Sequence, residues 1–233
     1  MSAQKYLQEL QKRILIIILV FVITFIVSVA YSKQIFIFFL ANFIPANASL
    51  VTLNPYENIS IFLNFAFFSA ITLTLPVIVY NLIAFISPGL TKYEKKVITF
   101  LPAVAFILFL LGSGFNFYIT KEYIIPFLSA LTLDVGIQNT WSIGYFINFI
   151  LYTSLIMGLI FQFPLVILTL VKVGLLKVDH VSQFRKQIYI SLLVLSAFVT
   201  PPDFFSMFIV AVPLIFIFEV TILIGRLMKG KSK

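Results

Sequence analysis

The chain has 233 residues, 61% of them hydrophobic and only 10% charged, with a mean hydropathy of +1.12. A soluble domain carries roughly 25% charge, so this composition excludes a globule that covers itself with a wettable surface. No Cys and a single His exclude disulfides, thiolate metal sites and a His cluster for zinc or haem, and no cofactor is expected.

The first apolar run, Ile14 to Ala30, follows a charged stretch with Lys5, Glu9, Lys12 and Arg13. Ser28-Val29-Ala30 resembles a signal-peptidase site, but the 17-residue run exceeds the usual h-region of about 7–15 residues. It is read as span one. Tyr31 to Asn58 mixes apolar patches with Pro45 and Pro55, and short interfacial helices are expected there. Span two covers Ile59 to Ile86, kinked at Pro76 and ended by Ser87-Pro88-Gly89. A polar turn from Thr91 to Lys96 leads into span three, Val97 to Tyr118. Lys121 to Trp141 is predicted as a second long loop. Span four, Ile143 to Val171, carries Asn148, Gln162 and Pro164.

The last pair is unusual. After the polar turn Lys172 to Gln187, the apolar run Ile188 to Val199 has 12 residues, about 18 Å as helix. Pro201, Pro202 and Asp203 break it from the sixth span, Phe204 to Gly225, which contains Pro213. A bilayer core is about 30 Å thick. The predicted architecture is an all-α membrane protein of six transmembrane helices, with spans five and six short enough to thin the bilayer. The whole chain, residues 1–233, reads as one domain.

Fourteen of the sixteen Lys and Arg residues fall on one side of such a bundle, leaving only Lys33 and Lys121 opposite. The positive-inside rule then places both termini in the cytoplasm. A net charge of +8 would suit nucleic acid. Here the positives flank apolar spans, so they are topology determinants beside anionic lipid, and membrane lipid is the expected partner.

Of the eight acids, Glu9, Glu57, Glu94, Glu122, Asp134, Asp179, Asp203 and Glu219, only Glu219 lies within a span. It is expected to pair with Arg226 or Lys229, or to make a polar contact between helices. Lys5, Glu9 and Arg13 share one helix face at i, i+4 spacing and form either a solvated ion-pair row or a binding surface. Glu94 suits the N-terminal dipole of span three. Glu9 and Glu94 are also the only acids of the first two cytoplasmic segments, and a carboxylate pair suits guanidinium groups. Asp203 is expected to cap the sixth span. Gln162 is either a core amide or a mid-membrane polar contact for an inserted segment. His180 reads as an inert surface residue.

Taken together, the motifs resemble the TatC family, the multispanning core of the twin-arginine protein translocase. Leu7-x-Glu9-Leu10-x-x-Arg13 is similar to the family's N-terminal element. Thr52-x-x-Pro55-x-Glu57 resembles its first external loop. Phe85-Ile86-Ser87-Pro88-Gly89-Leu90, followed by Glu94-Lys95-Lys96, resembles its first cytoplasmic loop. Gly112-x-x-Phe115-x-Phe117-Tyr118, Pro126-Phe127, Gly158-x-x-Phe161-Gln162-x-Pro164, Thr200-Pro201-Pro202-Asp203 and Pro213 with Glu219 follow in order. Tyr6 and Gln11 replace a usual His and Arg. Gln162 stands where many members carry Glu, so a role that needs a carboxylate there is in question.

The resemblance implies a receptor for signal peptides with paired arginines, with Glu9, Arg13, Phe85, Pro88, Glu94 and Lys95 at the binding surface and Gln162 marking an intramembrane groove. Glu57, Asp203 and Glu219 are implied as structural or partner contacts. TatA- or TatB-like single-span subunits are the implied partners, along with membrane lipid and further copies of the chain. Folded cargo would cross under the proton-motive force, in the plasma membrane or, for a eukaryotic source, an organellar one. The other functional class, an ion-coupled small-molecule transporter, needs charges near several midplanes, and these spans carry almost none. An intramembrane enzyme needs a nucleophile with a base, or a metal set, which this composition does not offer.

Tags at either terminus, Lys92 or Lys177 are expected to be protected in the cytoplasm, while tags near Ala46 and Leu133 react from outside. Labelling of Lys177 and Ala46 from the same side would sink the six-span topology.

Overall fold

The computed structural model describes residues 3–43, 49–86, 100–133, 140–172, 174, 176–201 and 203–230. Helix α1 runs unbroken from Ala3 to Phe43, 41 residues or about 60 Å. The expectation of short interfacial helices after Tyr31 is not met. No Gly or Pro occurs between Ala3 and Phe43, and Pro45 is the first breaker, so nothing stops the helix at the membrane edge. Only 6% of its most apolar window is buried inside the protein, so most of α1 faces lipid.

A three-residue strand, β1 (Ser49–Val51), follows, and then α2 (Glu57–Ile86), which passes Pro76 without a break. Span three is α3 (Leu101–Ile119), with Pro102 in its first turn, where a missing N–H costs nothing. It does not end at Tyr118. It continues through one π turn, Thr120–Ile124, into α4 (Ile125–Leu133). The segment expected as a loop from Lys121 is therefore helical as far as Leu133. The widened turn lies directly before Pro126, whose ring would crowd a regular α turn.

Strand β2 (Thr140–Ser142) pairs in parallel with β1, with Ser49 opposite Thr140 and Val51 opposite Ser142. Span four is two helices, α5 (Ile143–Ile160) and α6 (Phe163–Lys172). The break falls at Phe161 and Gln162, just before Pro164 removes a donor. After α6, Gly174 adopts φ +78 and gives its N–H to the Val171 carbonyl at 3.1 Å, while the Leu176 N–H reaches the Leu170 carbonyl at 3.2 Å. This glycine-dependent helix end leads to α7 (Val178–Gln183), then α8 (Arg185–Val199) and α9 (Phe204–Gly230).

Among the described residues, five helical stretches are long and apolar enough to cross a membrane, and α8 is the sixth span. At 15 residues it measures about 22 Å, short as expected. Its partner is not short: α9 has 27 residues, about 40 Å. Pro213 does not end α9, so the helix carries past Gly225. The Asp203 carboxylate accepts the Ser206 N–H at 2.7 Å and caps α9, as the sequence predicts.

α1 packs on α2, α3 packs on α5 and α2, and α9 packs on α8 and α6. Two buried clusters result. One joins Phe39 of α1, Ile61 and Phe65 of α2, Ile125 of α4, and Ile147 and Ile150 of α5. The other joins Met157 and Ile160 of α5 to Leu192 of α8 and to Val210, Leu214 and Phe218 of α9. Among the described glycines, the closest approaches are where α3 meets α5. A Cβ on Gly112 would lie 2.7 Å from the Met157 carbonyl oxygen, and one on Gly158 would lie 2.6 Å from the buried Phe109 ring.

Gly112→Ala is expected to destabilise the protein by about 1–3 kcal/mol, because a backbone oxygen cannot move out of its way. Gly114→Ala, two residues along with nothing within 4 Å of the new methyl, is expected to be neutral or to gain up to about 1 kcal/mol of helix propensity. Thermal unfolding in one detergent checks both. Equal melting points for the two variants would contradict the close crossing.

Candidate functional site

On the cytoplasmic side the first turns of α1 meet the last turn of α2. Arg13 Nε donates to Glu9 Oε1 at 3.1 Å, and its Nη2 donates to the same oxygen and to the Ala84 carbonyl at 3.2 Å. The i, i+4 spacing with the acid N-terminal to the base favours this pair. Glu9 and Arg13 side chains are 30% and 21% exposed, so both remain in reach of a ligand while the pair is held against α2. Phe85, partly buried, is the next residue after Ala84. The structure thus brings together Glu9, Arg13 and Phe85. Pro88, Glu94 and Lys95, the other residues expected at this surface, lie outside the described residues.

Gln162 sits at the break in span four. Its Nε2 donates to the Ala105 carbonyl of α3 at 3.2 Å and to the Gly158 carbonyl at 3.1 Å. Its Oε1 is buried without a partner among the described residues. The amide therefore ties α3 to α5 and keeps one acceptor free at the helix break. A carboxylate in its place would present lone pairs to two carbonyls, which explains locally why an amide suits this site.

Of the two readings of Glu219, the structure shows the polar contact between helices: Arg185 Nη2 donates to its Oε2 at 2.8 Å, and the Tyr189 hydroxyl donates to its Oε1 at 2.5 Å. The acid on α9 is thereby tied to two residues of α8, one turn apart. A signal for this pairing was present in the sequence. Arg185 and Glu219 each lie 17 positions from Pro202, so an antiparallel hairpin turning there sets them side by side.

Outside the membrane, Glu57 opens α2 and is 6% exposed. Its Oε2 accepts the Leu53 N–H at 3.1 Å and its Oε1 accepts the Ser142 hydroxyl at 2.9 Å. Ser142 Oγ in turn accepts the Tyr145 N–H at 3.3 Å and caps α5. One carboxylate thus joins the β1 segment, α2, β2 and α5. Gly144 leaves room for it, since a Cβ there would lie 3.0 Å from Glu57 Cγ.

Several polar contacts within the spans escape sequence reading. Asn116 Nδ2 donates to Thr153 Oγ1 and Ser154 Oγ, both at 2.9 Å, and Ser113 Oγ donates to the Ser154 carbonyl at 3.1 Å. Asn64 Nδ2 reaches Asn148 Oδ1 at 2.6 Å, and the hydroxyls of Thr24 and Thr74 lie 2.9 Å apart. Each links two helices. Asparagines and hydroxyls inside apolar runs were their signal, but a single position does not say which helix it faces.

The model of the family described as "Sec-independent protein translocase protein (TatC)" matches residues 5–213. The chain is 34% identical over 234 residues to the Sec-independent protein translocase protein TatCy of Bacillus subtilis strain 168, covering 100% of this chain and 92% of that protein. It is 31% identical over 225 residues to the Sec-independent protein translocase protein TatC of Listeria innocua, covering 97% and 91%. The crystal structure of the twin-arginine translocase receptor TatC in DDM superposes with a TM-score of 0.84 at 27% identity, covering 94% of this chain and 99% of that one. The chain therefore belongs to the TatC family of Sec-independent protein translocase proteins, and it is a multi-pass integral protein of the plasma membrane.

Proposed function

We propose that the chain is the receptor for twin-arginine signal peptides in a twin-arginine translocase and acts as one six-span unit in moving folded proteins across the membrane. The observation that carries the binding site is the Glu9–Arg13 pair anchored on the Ala84 carbonyl. It fixes an acid-bearing helix beside the end of α2, directly before the segment that bears Pro88, Glu94 and Lys95. One guanidinium of the signal meets Glu9, whose Oε1 is taken by Arg13 and whose Oε2 is left to accept. The second meets Glu94. A guanidinium fork matches a carboxylate in two parallel bonds, whereas an ammonium does not. Phe85 and Pro88 shape the surface between them, and Lys95 repels basic peptides that lack the matched spacing.

The apolar part of the signal then enters the membrane toward the break at Gln162. Single-span TatA- or TatB-like subunits complete the assembly, and the proton-motive force drives transport. The chain contributes binding and positioning, with no covalent chemistry and no cofactor.

Glu9→Ala and Glu94→Ala are expected to weaken signal-peptide binding about tenfold or more, in line with a loss of about 2–5 kcal/mol for a desolvated charge pair. Folding is expected to lose only about 0.3–1 kcal/mol, the worth of a surface ion pair or a helix-end acid. A Lys-Lys signal is expected to bind the wild type less well than Arg-Arg. Crosslinking of the signal peptide in membranes, with melting points measured in parallel, checks all three. Normal binding by both folded variants would mean that carboxylate–guanidinium recognition is wrong for this chain.

A further inference from the structure

Beneath the Arg185–Glu219 contact lies a slot of about 500 Å³ between α6, α8 and α9. Its walls include Phe163, Pro164 and Ile167 from α6, Ile188 and Leu195 from α8, and Phe218 from α9. They are almost wholly apolar. The Glu9–Arg13 surface does not use this slot, which opens beside the break at Gln162.

Three observations say what fills it. Arg185 stands one helical turn before Ile188 on the same face of α8; its side chain is 35% exposed, its Nη2 serves Glu219, and its Nε has no partner among the described residues. The exposed part of the guanidinium suits an anionic acceptor. The Tyr189 ring, bonded to the same Glu219, lies edge-on to Phe218 at 6.0 Å, so the charged network forms the upper rim of the slot. Exposed Lys172, Lys177, Lys186 and Arg226 lie at the same end of the surrounding helices, and the nearby acid Glu219 is already engaged.

The second observation is length. Arg185 to Thr200 spans about 23 Å, against about 30 Å of hydrocarbon. However α8 is placed in a flat bilayer, at least one of its ends lies inside the apolar layer. Arg185 and the exposed cations beside it draw anionic headgroups toward the cytoplasmic end.

The third is size. A volume of about 500 Å³ with apolar walls is enough to hold a single hydrocarbon chain.

We propose that this slot binds an anionic glycerophospholipid, with one acyl chain between α6, α8 and α9 and its phosphate on Arg185. Lys186 and Lys177 add long-range attraction. The bound lipid fills the gap behind the broken span four.

The test is native mass spectrometry of the full chain released from nanodiscs of equal phosphatidylglycerol and phosphatidylcholine. The wild type is expected to retain phosphatidylglycerol about tenfold over phosphatidylcholine. Arg185→Gln is expected to drop that preference to near parity. Ser191→Trp places an indole in the slot from an exposed position with no bond to the Glu219 network, and is expected to lose both lipids about tenfold. Lys121→Gln, at the opposite face, is expected to change neither. No headgroup preference in the wild type overturns the proposal, and so does full lipid retention by folded Ser191→Trp. A photo-crosslinker at Ser191 that captures protein in place of lipid would overturn it in favour of a helix partner. Should Arg185→Gln fail to fold, the wild-type preference and Ser191→Trp still decide.

Discussion

Lipid tails are as apolar as the helices they surround, so burying Leu or Phe between two helices gains little in a membrane. What remains is close packing and hydrogen bonding, and the rest of this fold depends on one place where both occur. α3 and α5 cross at Gly112 and Gly158, where neither backbone tolerates a methyl group. Ser113 and Asn116 then reach Thr153 and Ser154 across that contact. Each interhelical hydrogen bond is worth about 0.6 kcal/mol on average in a membrane, so it is the set that matters. Asn116, at 2% exposure, could not be buried there alone. Gln162 continues the same seam one turn further on by holding Ala105. The polar residues therefore depend on the glycines for proximity, and the glycine contact depends on the polar residues for its register.

Charges close the bundle at its two surfaces in different ways. Outside, Glu57 gathers segments far apart in sequence, and its two protein donors compensate for burial of the carboxylate. Inside, Glu219 and Arg185 close the α8–α9 hairpin, and Glu9 and Arg13 close α1 on α2. Both cytoplasmic pairs are partly exposed. A partly exposed pair contributes modestly to stability, and it leaves groups within reach of a ligand. The buried acid is structural, whereas the half-exposed pairs are where peptide and lipid are placed by the two proposals.

How much of this was legible follows from the range of each signal. The apolar runs and the charge split are read over about 20 residues, and they located every span. Helix ends are read from breakers, and here two expectations misjudged the rule. The region after Tyr31 was assigned by its mixed polarity, although no breaker occurs before Pro45. The segment from Lys121 is expected as loop, although a π turn carries the helix on to Leu133. The β1–β2 pair was not legible. Three residues at each end of a separation of about ninety positions have no periodicity to read. Glu219 is legible as an intramembrane acid with two readings, a pair along its own helix or a contact between helices, and only the α8–α9 hairpin selects the second.

The candidate site illustrates the same limit. Glu9 was legible as part of a charged row, and row and binding surface were equally good readings of i, i+4 spacing. The fold adds the Ala84 carbonyl, which no spacing rule supplies. That bond changes what the pair is for. A solvated row on a free helix end loses side-chain entropy whenever it orders and returns little stability. Held against the last turn of α2, Arg13 keeps the Glu9 carboxylate at a fixed place relative to that helix. Preorganisation of this kind lowers the cost of ordering when a peptide binds. A helix as long as α1 serves that purpose, because its lipid-embedded middle fixes the direction in which its first turns emerge.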